Sequence, residues 1–345
     1  MTTIEENSAA ASPCDGDEPS PECPALVCAY GVKKTVGTPL SWDEVKSGAR
    51  AGEFDWIWVH LHTVSADAAL WVRAQEFIPA AAADALLAGE TRPRMIQFDG
   101  GLAVNLRGVN HNPGAEPEDM VALRIWADAK HVVTSRRRLV KAIADVREII
   151  EKPNFGPKTP GEFVALLASK MTNAIEPYVE EIADSIDELE DLVLEDGGRN
   201  VRKRLGEARR MAVQLRRYIA PQRDAIGALA TSDIKLFDSR TRMALRETAD
   251  VVTRMTEEID SARERAMILN EQIMGERSDE MNRNMLILST AAAVFLPLNF
   301  IAGLLGVNVA GIPGADSPLA FWIVVAATVS IGAAMIGFFR SRGWL

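Results

Sequence analysis

Residue types suited to coordination chemistry are thinly spread in this 345-residue chain. Its histidines, His60, His62, His111 and His131, and its cysteines, Cys14, Cys23 and Cys28, all lie in the N-terminal part. A tight zinc site wants imidazole, thiolate or carboxylate ligands, and these cysteine spacings are not a zinc signature. His60 and His62 alternate, so on a strand they share one face. That pair would suit a peripheral metal site, although structural histidines satisfied by neighbours are the simpler reading. A different polar group stands near the end, in FIAGLLGVNVAGIPG (300–314), where the amide of Asn308 follows Gly306 and Val307 at the close of an apolar run. An uncharged amide there can donate and accept hydrogen bonds without placing a fixed charge at the end of an apolar segment.

The surrounding elements explain why such an amide would be useful. The formal net charge of -10 and pI near 5.1 argue against a nucleic-acid partner, which would need a basic face. From Asn284 to Phe339 the only ionisable side chain is Asp316. Two apolar runs there, 285–307 and 318–339, each reach the roughly 20 residues a helix needs to cross hydrocarbon. The chain therefore reads as a multi-pass protein of the cytoplasmic membrane, in contact with lipid, with a large soluble part ahead of its spans. Arg277 and Arg283 precede the first run, Arg340 and Arg342 follow the second, and the connection 308–317 has no basic residue. The positive-inside rule puts both termini, including the short tail 340–345, in the cytoplasm and the 308–317 loop outside. No signal segment opens the chain, and residues 1–24 read as a disordered polar tail.

Residues 25–150 read as an α/β domain. ALVCAYGV, DWIWVHL, RMIQFDGGLAVNLRGVN with a Gly100-Gly101 turn, and MVALRIWADAKHVVTSR with a turn at Asp128 to Lys130 suggest two hairpins in a mixed sheet. SADAALWVRAQ and PAAAADALLAG are helical between them. Residues 151–234 change period and read as a helical hairpin, one arm running from Gly161 to Gly197-Gly198 and the next over RNVRKRLGEARRMAVQLRRYI. The first arm is acidic from Glu176 to Asp196 and the second is rich in arginine, so the arms are expected to neutralise each other. The alternative is a cation-attracting cytoplasmic rim. Residues 235–284 form a stalk helix that nothing interrupts before Met285, so it should continue into the first span.

Two spans per chain cannot enclose a pore, so a transport path needs several copies around an axis. Asn282, Met285, Leu288, Ala292, Leu296, Asn299 and Gly303 recur at three- and four-residue steps and so share one helix face. Leu288 and Leu296 would form hydrophobic constrictions on such a path. Asn299 is the telling member, because a polar group within a span faces a partner or water. Two readings stay open: this face lines a path, or Asn299 bonds a neighbouring helix while the leucines pack.

The segment FLPLNFIAGLLGVNVAGIPG, preceded by the stalk and followed by a span ending FFRSRGWL, resembles the CorA family of divalent metal ion transporters. The hallmark of that family is Gly-Met-Asn at the outer mouth, and here the triplet is Gly306-Val307-Asn308. RPRMIQFDGGLAVNLRGVN, NPGAEPEDMVALRIW and VTSRRRL look like its zinc-transporting ZntB branch. The resemblance implies a homopentamer with a cytoplasmic funnel and ten membrane helices, the first span of each subunit lining the pore. It also implies metal recognition by Asn308, Gly306 and Val307, with Zn2+ as the transported ion, no bound cofactor, and proton-coupled movement. The chain departs from the magnesium branch at Leu305, where most magnesium-transporting members have Tyr, and at Val307 in place of Met. Magnesium, cobalt or nickel remains the alternative cargo. The alternative class is a membrane-anchored scaffold that passes no ions. An enzyme is not expected, since no phosphate loop or nucleophile motif appears.

Overall fold

The computed structural model describes residues 24–89, 92–196, 201–307, 314 and 317–343. Residues divide into two compact units, one built from the chain up to 194 with 199–267, the other from 268–345 with 195–198.

The first unit is organised by seven strands: β1 (Leu26–Lys33), β2 (Val36–Pro39), β3 (Trp56–His62), β4 (Arg94–Phe98), β5 (Gly101–Gly108), β6 (Val121–Asp128) and β7 (His131–Arg136). They form one sheet in the order β2-β1-β3-β7-β6-β5-β4. Only the β3–β7 pair is parallel, which makes the sheet mixed as the hairpin pattern predicts. The β4–β5 turn is Asp99-Gly100, because Gly101 already pairs with Phe98. Gly100 supplies the left-handed conformation at φ 81°. Gly101 serves a different purpose: a β-carbon there would stand 2.6 Å from the buried Trp126 ring. At the β6–β7 turn the Asp128 Oδ1 accepts from the Lys130 and His131 backbone N–H groups, each at 2.7 Å.

Helices cover both faces of the sheet, so its central strands are buried on two sides and lose simple alternation. The helices before the third hairpin are α1 (Trp42–Ser47), α2 (Ala66–Ala74) and α3 (Ala80–Leu87); those after it are α4 (Lys141–Glu151) and α5 (Pro160–Asn173). On one face Val59, Leu61, Trp126 and Val133 join Ala68, Val72, Ala82 and Leu86 of α2 and α3 in a single core. On the other, Phe163 of α5 packs against Trp56 and Trp58, with ring centroids 5.6 and 4.9 Å apart.

The long first arm anticipated from periodicity is two helices, α5 and α6 (Glu176–Asp196). Pro177 explains the break, since it has no N–H to offer the Asn173 carbonyl. By contrast α7 (Arg202–Thr231) runs on through Pro221. Buried positions on α6 (Val179, Ile182, Ile186, Leu189, Val193), on α7 (Leu205, Ala208, Ala212, Leu215, Ile219) and on α8 (Ser239–Leu305; Leu245, Thr248, Val252, Met255, Ile259, Ala262, Ala266) follow three- and four-residue steps. This is the spacing of helices packed side by side along a narrow seam.

The expected charge match between the arms is largely replaced by another. Arg204 of α7 reaches Glu188 of α6 at 2.7 Å. The other described partners of α6 come from α8: Arg254 to Glu176 at 2.7 Å, and Arg265 to both Glu190 at 2.9 Å and Asp187. Arg216 of α7 turns instead to Asp260 of α8. With three helices on one seam, each charged flank meets whichever neighbour it lies beside.

The second unit contains the end of α8 and α9 (Pro318–Ser341), both long and apolar enough to cross a membrane. Gly332 of α9 brings its backbone close to α8, where a β-carbon would lie 3.5 Å from Leu298 Cδ1.

Candidate ion path

The seven residues proposed to share a face, Asn282, Met285, Leu288, Ala292, Leu296, Asn299 and Gly303, all lie on α8 and all are exposed in the single chain. Leu288 and Leu296 stand out at 71% and 75% exposure. The less exposed positions of the same segment are Thr290, Val294, Leu298 and Ile301. These recur every three to four residues and include the contact with α9. At 3.6 residues per turn the two sets point in directions roughly 180° apart. The partner helix of the chain therefore occupies one side of α8 and leaves the rest of its surface uncovered, the polar-interrupted line included.

Asn299 bears on the two readings left open by the sequence. Its side chain makes no hydrogen bond among the described residues, and it is exposed, so α9 of the same chain does not take the amide. Two residues earlier Pro297 sits inside the helix and cannot donate to the Ala293 carbonyl. α8 ends at Leu305, and the Gly306 N–H closes its last turn on the carbonyls of Ala302 at 3.0 Å and Gly303 at 3.2 Å. Val307 follows, half exposed. Asn308 and Asp316 lie outside the described residues.

The histidines belong to the first unit. His60 is fully buried with Nδ1 2.7 Å from Thr134 Oγ1, and its pKa is held well below the usual value by burial and then by the Arg136 charge. His62 is buried on the same strand. His131 lies on Asp128 at 3.1 Å and stacks on Phe77, while His111 has a lowered pKa from burial and then Lys141. Among the described residues no three His, Cys, Asp or Glu side chains converge as a metal site. Cys28 is half-buried on β1; Cys14 and Cys23 lie outside the described residues.

Comparison with known proteins bears on this geometry. The family model described as CorA-like Mg2+ transporter protein matches residues 53–341. The divalent cation transporter CmaX of Pseudomonas aeruginosa PAO1 is 39% identical over 291 residues, covering 84% of this chain and 87% of CmaX. The zinc transport protein ZntB of Pectobacterium carotovorum subsp. carotovorum PC1 is 30% identical over 288 residues, 84% of this chain and 88% of that protein. The solved structure of full-length CmaX is similar at a TM-score of 0.79 and 36% identity, covering 95% of this chain and 99% of that one.

Proposed function

The chain belongs to the CorA-like family of divalent cation transporters, and on that premise we propose that it carries zinc through an axial path lined by α8 and closed outside by a ring of Asn308 amides. The observation that carries the path is the uncovered face of α8. Its lining residues lie opposite the side that α9 occupies, so a ring of copies can bring Leu288, Leu296 and Asn299 to a common axis. Five copies are the number that the family resemblance implies. Both termini lie in the cytoplasm in this reading, with 308–317 outside.

The path is built for a hydrated ion. No histidine or cysteine occurs in either span, so zinc is not handed between tight ligands. Asn308 oxygens accept from first-shell water, Val307 and Gly306 shape the ring beneath, and Leu288 and Leu296 form apolar constrictions that wet when the path opens. The assignment to zinc rests on the likeness to the zinc transport protein ZntB. Coupling to protons draws on Asp316 of the loop or on the soluble domain, because the spans themselves contain no ionisable group. The second reading is magnesium, cobalt or nickel transport by the same path, favoured by the Mg2+ in the family's description.

The test is flux into proteoliposomes containing the purified protein, with zinc and magnesium compared under imposed voltage and proton gradients. Zinc flux that exceeds magnesium flux supports the assignment, and magnesium flux alone turns it to the second reading. A structure showing monomers or dimers with no axial channel would contradict both.

A further inference from the structure

An arginine-lined cavity lies in the first unit and shares no residue with the proposed ion path. It opens between the β5–β6–β7 part of the sheet and α7, has a volume of about 370 Å³, and is lined by Arg107, Arg124, Arg137, Arg138, Asp119 and Tyr218 among others. Two strands and the segment after a third deliver the arginines: Arg107 from β5, Arg124 from β6, and Arg137 and Arg138 from the chain just after β7. Arg107 Nη1 donates to the Met120 carbonyl at 2.6 Å, and its guanidinium lies 4.7 Å from the Tyr218 ring centroid.

Arg124 is the unusual member. It is 1% exposed, in the middle of a sheet, where a charge costs several kcal/mol unless it is paired. Its Nη2 donates to the Gly89 carbonyl, but its Nε and Nη1 have no acceptor among the described residues. Arg137 crowds the same spot: a β-carbon on Gly89 would stand 3.5 Å from Arg137 Nη2. Burial, then repulsion from Arg137 and Arg107, lowers the Arg124 pKa to about 10, which still leaves it charged at neutral pH. Arg107, Arg137 and Arg138 have other partners as well. Among the described lining residues Asp119 is the only carboxylate. Arginines therefore converge on a solvent-connected cavity around one guanidinium whose Nε and Nη1 lack an acceptor among the described residues.

We propose that this cavity binds a small multivalent oxyanion of the phosphate or pyrophosphate class, held by Arg107, Arg137 and Arg138 with Arg124 beneath. Guanidinium groups offer paired N–H donors matched to such oxygens. An anion there offsets the charge that the sheet has buried, at Coulombic range for Arg124 and by direct contact for the arginines at the rim. This site is separate from the cation path and does not depend on which metal is carried.

Titration calorimetry on the detergent-purified full chain, with sodium pyrophosphate as the probe and no divalent cation present, tests the proposal. Wild-type protein should give saturable binding with a dissociation constant below about 1 mM at low salt, weakening as sodium chloride is raised. Arg137→Gln and Arg138→Gln should each weaken binding at least about tenfold, or about 1.4 kcal/mol. Arg216→Gln, on an ion pair elsewhere, should leave it unchanged. Arg124→Met should reduce the pyrophosphate-induced rise in melting temperature while the ligand-free protein melts no lower than wild type, because a buried charge has been removed. No saturable heat with wild-type protein would overturn the site and show that the arginines are neutralised from within the chain. Binding equally strong in Arg137→Gln and Arg138→Gln would also overturn it.

Discussion

Leu298 of α8 and Gly332 of α9 meet face to face, with space for a β-carbon at 332 only 3.5 Å from the leucine Cδ1. This contact fixes which side of α8 is used within the chain and which is left over. Leu288 is on the unused side. Leu288→Ser should ease wetting of the constriction and raise basal ion leak in liposomes without loss of assembly. Leu298→Ser should act differently, weakening α8–α9 packing and lowering the yield of assembled protein. If Leu288→Ser only dissociates the oligomer, these leucines are packing residues.

Arg216 and Asp260 join α7 to α8 through two hydrogen bonds, one of them at 3.1 Å. The Arg216 hydrogen bond is the largest cause holding the Asp260 carboxyl below its ordinary value. A depressed folded-state pKa gives stability that is present above the unfolded pKa, near 4, and lost as pH falls through the folded value. Both side chains are about two-fifths exposed, at 43% and 41%, so screening keeps the contribution small. Arg216→Gln should cost about 0.5 kcal/mol at pH 7, and the difference from wild type should shrink below about pH 4. Urea unfolding of the full chain at both pH values would measure it; a difference that grows in acid would contradict the assignment.

Membrane orientation can be read by labelling. With Cys14, Cys23 and Cys28 replaced, Ala315→Cys should react with an impermeant thiol reagent on intact cells. Reaction only after lysis would place the loop inside. Among the native thiols Cys28 should be slow to react, since burial pushes its pKa up to about 12 and leaves little thiolate.

Proton dependence has one carboxylate to examine in the membrane region, Asp316. Asp316→Asn should reduce the response of zinc flux to an imposed proton gradient if the loop carries the coupling. An unchanged response would assign any coupling to the soluble domain.

Much of this architecture is legible in the residues. The β4–β5 and β6–β7 hairpins announce themselves through strand-like runs around a Gly-Gly turn and the turn at Asp128 to Lys130, and the stalk through unbroken helical period up to Met285. Other features depend on neighbours that the sequence does not order. β2 is four residues long and contains Gly37 and Pro39, so it carries little strand signal. Pro177 breaks one helix while Pro221 is absorbed by another, a difference set by packing rather than by proline itself. The acidic flank of α6 was expected to meet α7, but the seam brings α8 beside it as well, and Arg254 and Arg265 take most of the described pairs. ALRIWAD reads as an ordinary strand, and nothing in its pattern marks Arg124 as buried. On the proposed ion path, the three- and four-residue line on α8 is legible from spacing alone, whereas the side that α9 occupies is not. Asn308 is known here from sequence and resemblance alone, since it lies outside the described residues.

Zinc uptake by proteoliposomes containing assembled Asn308→Ala protein tests the account most directly. An alanine ring offers no polar substitute for the disturbed outer hydration shell, so assembly should match wild type while zinc flux falls by at least about tenfold, a loss of about 1.4 kcal/mol in barrier terms. Wild-type zinc flux through an Asn308→Ala oligomer of normal size would contradict the claim that the amide at the outer mouth recognises the ion.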